Sequence, residues 1–241
     1  MIWKKRLALL LACAALVLCA ACGAAPEPAQ RDDTLIYGSG SITRINPAMD
    51  EHGEINLLLF AVLTPQNEAW DRLIGQQLPE ARHVTRYAMR KDTGFDRKKL
   101  RALASQLPAG YLLRRIDGAL YTQCLADPAT ADFVSAFDSR AHYLEYGCGV
   151  VILKGGRIVS GASSYRRYRQ GIEIEVDTIE PERRRHLAQT ACAGLILLCL
   201  DEGLYPSWDA QNPGSVRLAE TLGYEVSHAY PAYELFTPPQ P

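Results

Sequence analysis

Residues 176–224 read VDTIEPERRRHLAQTACAGLILLCLDEGLYPSWDAQNPGSVRLAETLGY, and this stretch decides the fold. It runs through a strand end, an Arg-rich turn at Arg183, Arg184 and Arg185, an apolar helix, a second strand and a short helix. The first backbone N–H groups of a helix have no partners inside it. Together with the positive end of the helix dipole they make a seat for an anion, such as a cofactor pyrophosphate. The helix expected from about Glu182 to Glu202 is apolar on nearly every side, with Leu187, Ala188, Ala191, Cys192, Leu195, Ile196, Leu198 and Cys199. Such a helix is buried against a sheet rather than laid on a surface. Gly203 follows as its cap, and residues 207–210 are expected as the next strand. Asn212 then Pro213 gives a helix cap and first-turn proline, with Val216, Ala219 and Leu222 as the inward stripe up to Gly223.

Upstream, residues 147–156 end at a Gly-Gly turn and residues 157–168 follow as their hairpin partner. Residues 171–178, GIEIEVDT, alternate strictly. Glu173, Glu175 and Asp177 therefore share one face, and Ile174 and Val176 the other. That makes either a half-exposed sheet or a row of carboxylates lining a substrate cleft. Further upstream the pattern predicts a helix over 67–78, a strand over 83–91, a helix over 95–107 and a strand over 111–117. Residues 118–144 are expected to be helical, with Asp127 as an N-cap and Pro128 at the first helical position. After Gly223, residues 225–230 and 233–236 complete the sheet.

The composition, 48% apolar and 22% charged, is that of a globular chain, and a net charge of -1 gives no basic excess to attract nucleic acid. Cys124, Cys148, Cys192 and Cys199 show no metal-ligand spacing, so they read as small core hydrophobes and no metal is expected.

The chain's start has another character. Lys4, Lys5 and Arg6 precede an apolar run over 7–18 of signal-peptide length. Ala20, Ala21, Cys22 and Gly23 resemble a bacterial lipoprotein box, with Cys19 where a Leu is usual. The resemblance implies a membrane anchor through lipidated Cys22; an internal start at Met49 or Met89 implies the cytoplasm instead. Residues 24–33 form a polar tether. Residues 34–60 resemble the mature N-terminus of nickel- and peptide-type ABC transporter substrate-binding lipoproteins, implying a strand over 35–37, a loop with Asn46 and Pro47, and a helix from about Gly53.

Residues 65–241 resemble the zwittermicin-resistance-type branch of GNAT acetyltransferases, on GCGVVILKGGRIVSGASSY, EIEVDT, RRRHLA, YPSWDAQNPGS and LAETLGY. The resemblance implies an α/β (α+β) acyl-CoA acyltransferase fold: a mixed, mainly antiparallel sheet flanked by helices and splayed at its fourth strand to admit the pantetheine arm. It divides the chain into a signal (1–22), a tether and lipoprotein-like fragment (23–64), an incomplete N-terminal subdomain (65–116) and the acetyltransferase domain (117–241). The family's phosphate motif, Arg/Gln-x-x-Gly-x-Gly/Ala, falls on Arg183, Arg184, Arg185, His186, Leu187 and Ala188, with His186 replacing the glycine. By the same resemblance Ile174, Val176 and Thr178 would meet the pantetheine, and Asn212 and Ser215 would reach the cofactor; Asn212 reads equally as a helix cap. Many members carry a general-acid Tyr seven residues beyond that Asn. Ala219 stands there, leaving Tyr224 or Tyr230 as substitutes, with Glu173 or Glu175 as the base. The implied reaction is acetyl-CoA-dependent N-acetylation of a small amine by direct attack on the thioester. The alternatives are a truncated extracytoplasmic binding lipoprotein for nickel or peptides, and an acetyltransferase fold without turnover.

Overall fold

Alternating and continuous apolar runs build two larger sheets, and the computed structural model describes residues 47–49, 55–57 and 60–236. The leader, the tether and the strand expected over 35–37 lie outside the described residues. Strands β1 (Pro47–Met49) and β2 (Ile55–Leu57) form a small antiparallel ribbon, with Met49 opposite Ile55. Residues 55–57 are therefore not part of the helix expected from about Gly53. Their backbone groups are used in a ladder, which a helix would have to break.

The first large sheet has the order β10-β4-β11-β3 and is antiparallel throughout. It contains β3 (Phe60–Leu63), β4 (Arg82–Met89), β10 (Asp209–Ala210) and β11 (Val226–Phe236). β3 lies ahead of residue 65, so the subdomain takes in residues before that boundary. Helix α1 (Glu68–Gln77) follows β3, capped by Asn67, whose Oδ1 accepts from the N–H groups of Ala69 and Trp70. Helix α2 (Arg97–Ala104) follows β4 and is capped in the same way by Asp96.

The second sheet, β5-β6-β7-β8-β9, carries the central core. Its strands are β5 (Tyr111–Arg115), β6 (Gly149–Lys154), β7 (Arg157–Tyr168), β8 (Gly171–Thr178) and β9 (Tyr205–Ser207). All pairs are antiparallel except β8–β9. Val150 and Ile152 face one side of β6 and Val151 the other, and all three are buried. A strand covered on both faces reads as a continuous apolar run, as GVVILK does.

On one face lies helix α5 (Leu187–Asp201), with α2 and α6 (Pro213–Leu222) packed beside it. Leu187, Leu195 and Ile196 are wholly enclosed, each contributing roughly 1.5–3 kcal/mol of burial. α5 is apolar all round because it is enclosed between the sheet and two helices. Its buried Thr190 donates its hydroxyl to the carbonyls of Leu103 and Gln106 at the end of α2. Glu202 closes α5, Gly203 turns left-handed (φ 69°), and Leu204 N–H returns to Cys199 O at 2.8 Å. Cys192 and Cys199 are free and buried, as their spacing predicts.

The other face is covered by α3 (Gly118–Ala126), a 3₁₀ turn (Ala131–Phe133) and α4 (Arg140–Tyr146). The expected helical run over 118–144 is thus broken. Asp127 ends α3 instead of opening a helix: its N–H returns to Cys124 O, and its carboxylate accepts from Ala129 N–H at 3.0 Å. That turn places Phe133 and Val134 in the core.

Candidate active site

The five-stranded sheet comes apart at one place. β8 and β9 pair in parallel for three residues only: Gly171 with Tyr205, Ile172 with Pro206, Glu173 with Ser207. The chain then turns at Trp208, and Asp209 and Ala210 pair with β4 of the other sheet. The single strand expected over 207–210 is therefore split between two sheets. Residues 174–178 of β8 keep β7 on one side and, among the described residues, have no strand on the other.

Specific groups hold the cleft open. Gly171 lacks the Cβ that would lie 2.2 Å from Tyr205 O, so the strands can close at this end. Trp208 is buried at the bend and donates Nε1–H to Ser215 Oγ at 3.1 Å. Tyr224 donates its hydroxyl to Pro206 O at 2.6 Å. On the far side Tyr230 and Arg86 both donate to the Asp209 carboxylate, at 2.5 and 2.6 Å. Arg86 also pairs with the buried Glu234, which Arg82 contacts as well.

Beside the opening lie Glu173 and Glu175, both half-buried, on the face opposite Ile174 and Val176, which pack on the core under α5. Asp177 is exposed. Burial pushes the Glu173 carboxyl up and Lys91 pulls it back; the Lys91 ammonium stands 3.9 Å from Glu173. Glu175 is pushed up to about 7, chiefly by burial, with Asp132 and Asp177 adding repulsion. A carboxyl tuned this way exchanges protons near neutral pH. Ser207 Oγ accepts from Lys91 Nζ at 3.0 Å and meets Tyr168 OH at 2.7 Å.

β8 runs into a 3₁₀ turn (Glu180–Glu182) and then the Arg-rich loop. Arg184 and His186 both adopt left-handed backbone, φ 62° and 60°. The conformation that a glycine would take freely is thus kept by His186, at roughly 1–2 kcal/mol for a side-chain-bearing residue. His186 is the N-cap of α5 and its side chain makes no capping bond. The caps of α1, α2, α3, α4 and α6 all do. The first amides of α5, from Leu187 and Ala188 onward, are therefore not closed off by a cap. Arg183 donates to Thr178 O at 3.0 Å, Arg185 lies 3.2 Å from Glu182, and Arg184 is exposed.

The remaining sequence-predicted residues have structural partners. Asn212 Oδ1 accepts from Ser215 N–H at 3.0 Å, capping α6. Thr178 shares its hydroxyl with Ser160 at 2.8 Å. Ala219 is buried. Tyr224 is 2% exposed, and burial pushes its hydroxyl well up. Tyr230 is half-buried and bound to Asp209. Four residues near the cleft escaped the sequence reading: Lys91, Tyr168, Ser207 and Glu182. The first three meet only through tertiary pairing. Glu182 carried a faint signal, an acidic residue directly before three arginines. A separate cavity of about 370 Å³, lined by Arg114, Arg115, Ile116, Asp117, Tyr143, Leu144 and Gly147, sits at the β5 edge and shares no residue with the cleft.

A splayed sheet facing an uncapped helix start defines an acyltransferase-type fold. The chain matches the GNAT acetyltransferase family over residues 29–233 and belongs to it. The match includes residues 34–60, the segment expected from sequence to be a substrate-binding-lipoprotein fragment. Over 130 residues the chain is 30% identical to the uncharacterized N-acetyltransferase YdfB of Bacillus subtilis, covering 53% of this chain and 49% of that one. The chain thus spans about half the length of this curated relative. The crystal structure of a GCN5-related N-acetyltransferase-like protein from Streptococcus suis is 48% identical, with a TM-score of 0.70 over 73% of this chain and 71% of that one. These relatives do not support the alternative of a truncated binding lipoprotein.

Proposed function

We propose that the protein N-acetylates a small-molecule amine with acetyl-CoA, by direct attack of the amine on the thioester. The observation that carries this reading is the parting of β8 from β9 after Glu173, next to an uncapped α5. The edge of β8 at Ile174 and Val176 offers backbone groups to a pantetheine arm. The first amides of α5 and the exposed Arg184 offer donors to a pyrophosphate. Bound acetyl-CoA supplies the activated thioester. Glu175, poised near neutrality, takes the proton from the amine directly or through water. Glu173, beside the opening and 3.9 Å from the Lys91 ammonium, orients the amine of the acceptor. We assign the proton donor for the leaving thiolate to Tyr168 or Lys91, which meet on Ser207 at the mouth of the cleft. The Tyr224 hydroxyl is enclosed and committed to Pro206 O, which argues against that role.

Calorimetric titration with acetyl-CoA tests the reading, followed by thiol release over a panel of primary amines. Saturable uptake in the range of roughly 1 μM to 1 mM is expected; no uptake at the top of that range would overturn it. Uptake without turnover on any amine would leave a cofactor-binding fold. From the leader alone we further propose attachment to a membrane through Cys22, which mass spectrometry of the mature N-terminus checks.

A further inference from the structure

We propose that Glu182 is a positioning residue that shapes the phosphate-binding loop, and that Arg183 and Arg185 brace that loop, leaving Arg184 to meet the phosphate. This rests on the cofactor reading above. Glu182 is 8% exposed. Its Oε1 accepts from Lys154 Nζ at 2.6 Å, and its Oε2 accepts from Tyr111 OH at 2.5 Å. Tyr111 and Lys154 face each other on one rung of β5 and β6, and the Lys154 ammonium lies 5.1 Å from the Tyr111 ring centre. One cross-strand pair thus offers two donors to a single carboxylate. Lys154 first and Tyr111 second hold that carboxyl below its usual range, so it stays charged.

The third contact, an ion pair, comes from the loop itself. Arg185 Nε lies 3.2 Å from Glu182 Oε2, three residues back. At the loop's other end Arg183 donates to Thr178 O and lies 3.6 Å from Asp177 Oδ1. Between these anchors sit the two left-handed residues, Arg184 and His186. Neither is a glycine, so this backbone persists only where its surroundings over-determine it. The anchors do so. They fix the turn ahead of α5, whose first amides have no side-chain cap, and they occupy two of the three guanidinium groups. Arg184 is exposed and has no partner among the described residues. A preorganised loop spares the ordering cost that a slack one would meet on binding.

The test is calorimetric titration of acetyl-CoA into wild-type protein and the Glu182→Gln, Tyr111→Phe and Arg184→Ala variants, with steady-state kinetics alongside. Glu182→Gln should weaken acetyl-CoA binding about tenfold and raise its KM in step, with kcat at saturation within about twofold. Tyr111→Phe, which removes one donor, should weaken it about threefold. Arg184→Ala should weaken it and flatten its salt dependence, with the melting temperature unchanged. A folded Glu182→Gln protein with wild-type affinity, measured well below its melting point, overturns the proposal even if it is less stable. If Glu182→Gln does not fold, Tyr111→Phe decides: wild-type affinity sinks the proposal and a threefold loss upholds it. Wild-type protein that takes up no acetyl-CoA defeats the cofactor reading itself, a different failure from variants that bind normally.

Discussion

Two strand–turn–helix units flank the cleft, and they end in opposite ways. β8 leads through Glu182 and the arginine loop into α5, whose first turn has no side-chain cap and whose N-cap, His186, is left-handed. β10 leads through Gln211 into α6, whose first turn is closed by Asn212 and pinned by Pro213. The second unit satisfies its own backbone and anchors Trp208 through Ser215. The first leaves donors unused at a cost in backbone strain. One lip of the cleft thus satisfies its own backbone, and the other keeps uncapped helix donors.

The largest effect expected from breaking this contrast is chemical. Glu175→Gln should lower kcat/KM by roughly 10²–10⁴-fold and abolish its rise with pH through about 7. Its effect on stability has a definite sign. The folded-state carboxyl is raised, so its stabilising contribution is complete below the ordinary carboxylate range and is lost as pH rises through about 7. The Gln variant should therefore melt higher than wild type at about pH 8 and show no such gain at about pH 4, as scanning calorimetry would show.

Next comes the hinge that the two units share. Gly171→Ala places a Cβ 2.2 Å from the Tyr205 carbonyl oxygen, which is backbone and cannot swing aside. It should cost about 1–3 kcal/mol in urea unfolding and weaken acetyl-CoA uptake by shifting β9 against β8. Asn212→Ala removes a cap and should cost about 1 kcal/mol. Because it acts on the closed lip, acetyl-CoA affinity should be unchanged; a large affinity loss would give Asn212 a cofactor role after all. The smallest effect belongs to His186→Gly. Relief of left-handed strain and the added chain entropy of glycine are both about 1 kcal/mol and nearly cancel. The melting temperature should stay within about 4 °C, while binding holds or improves slightly.

Much of this was legible from local pattern. The apolar run of α5, the Gly-Gly hairpin before Arg157 and the Asn212–Pro213 helix start follow from short-range rules. The family motif has a glycine where His186 stands, and His186 keeps a backbone that suits glycine, φ 60°. What the sequence hid depends on distant contacts. Asp127 before Pro128 looks like a helix cap, yet it closes α3 because Phe133 must reach the core. The run Ser207-Trp208-Asp209-Ala210 looks like one strand, yet Trp208 is drawn into the core between two sheets. Tyr224 looks like a mobile acid but is enclosed by Phe95, Trp208 and the Pro206 carbonyl. Glu182 looks like an exposed first-turn acid. Its burial follows from Tyr111 and Lys154, which lie 71 and 28 residues away.

Trp208 stands where the chain leaves one sheet for the other, its indole shielded and its N–H tied to Ser215. Any ligand that wedges the sheets further apart must strain that tether. Emission from this indole is then expected to gauge the cleft during a titration without a label, once Trp3 and Trp70 are both replaced by Phe.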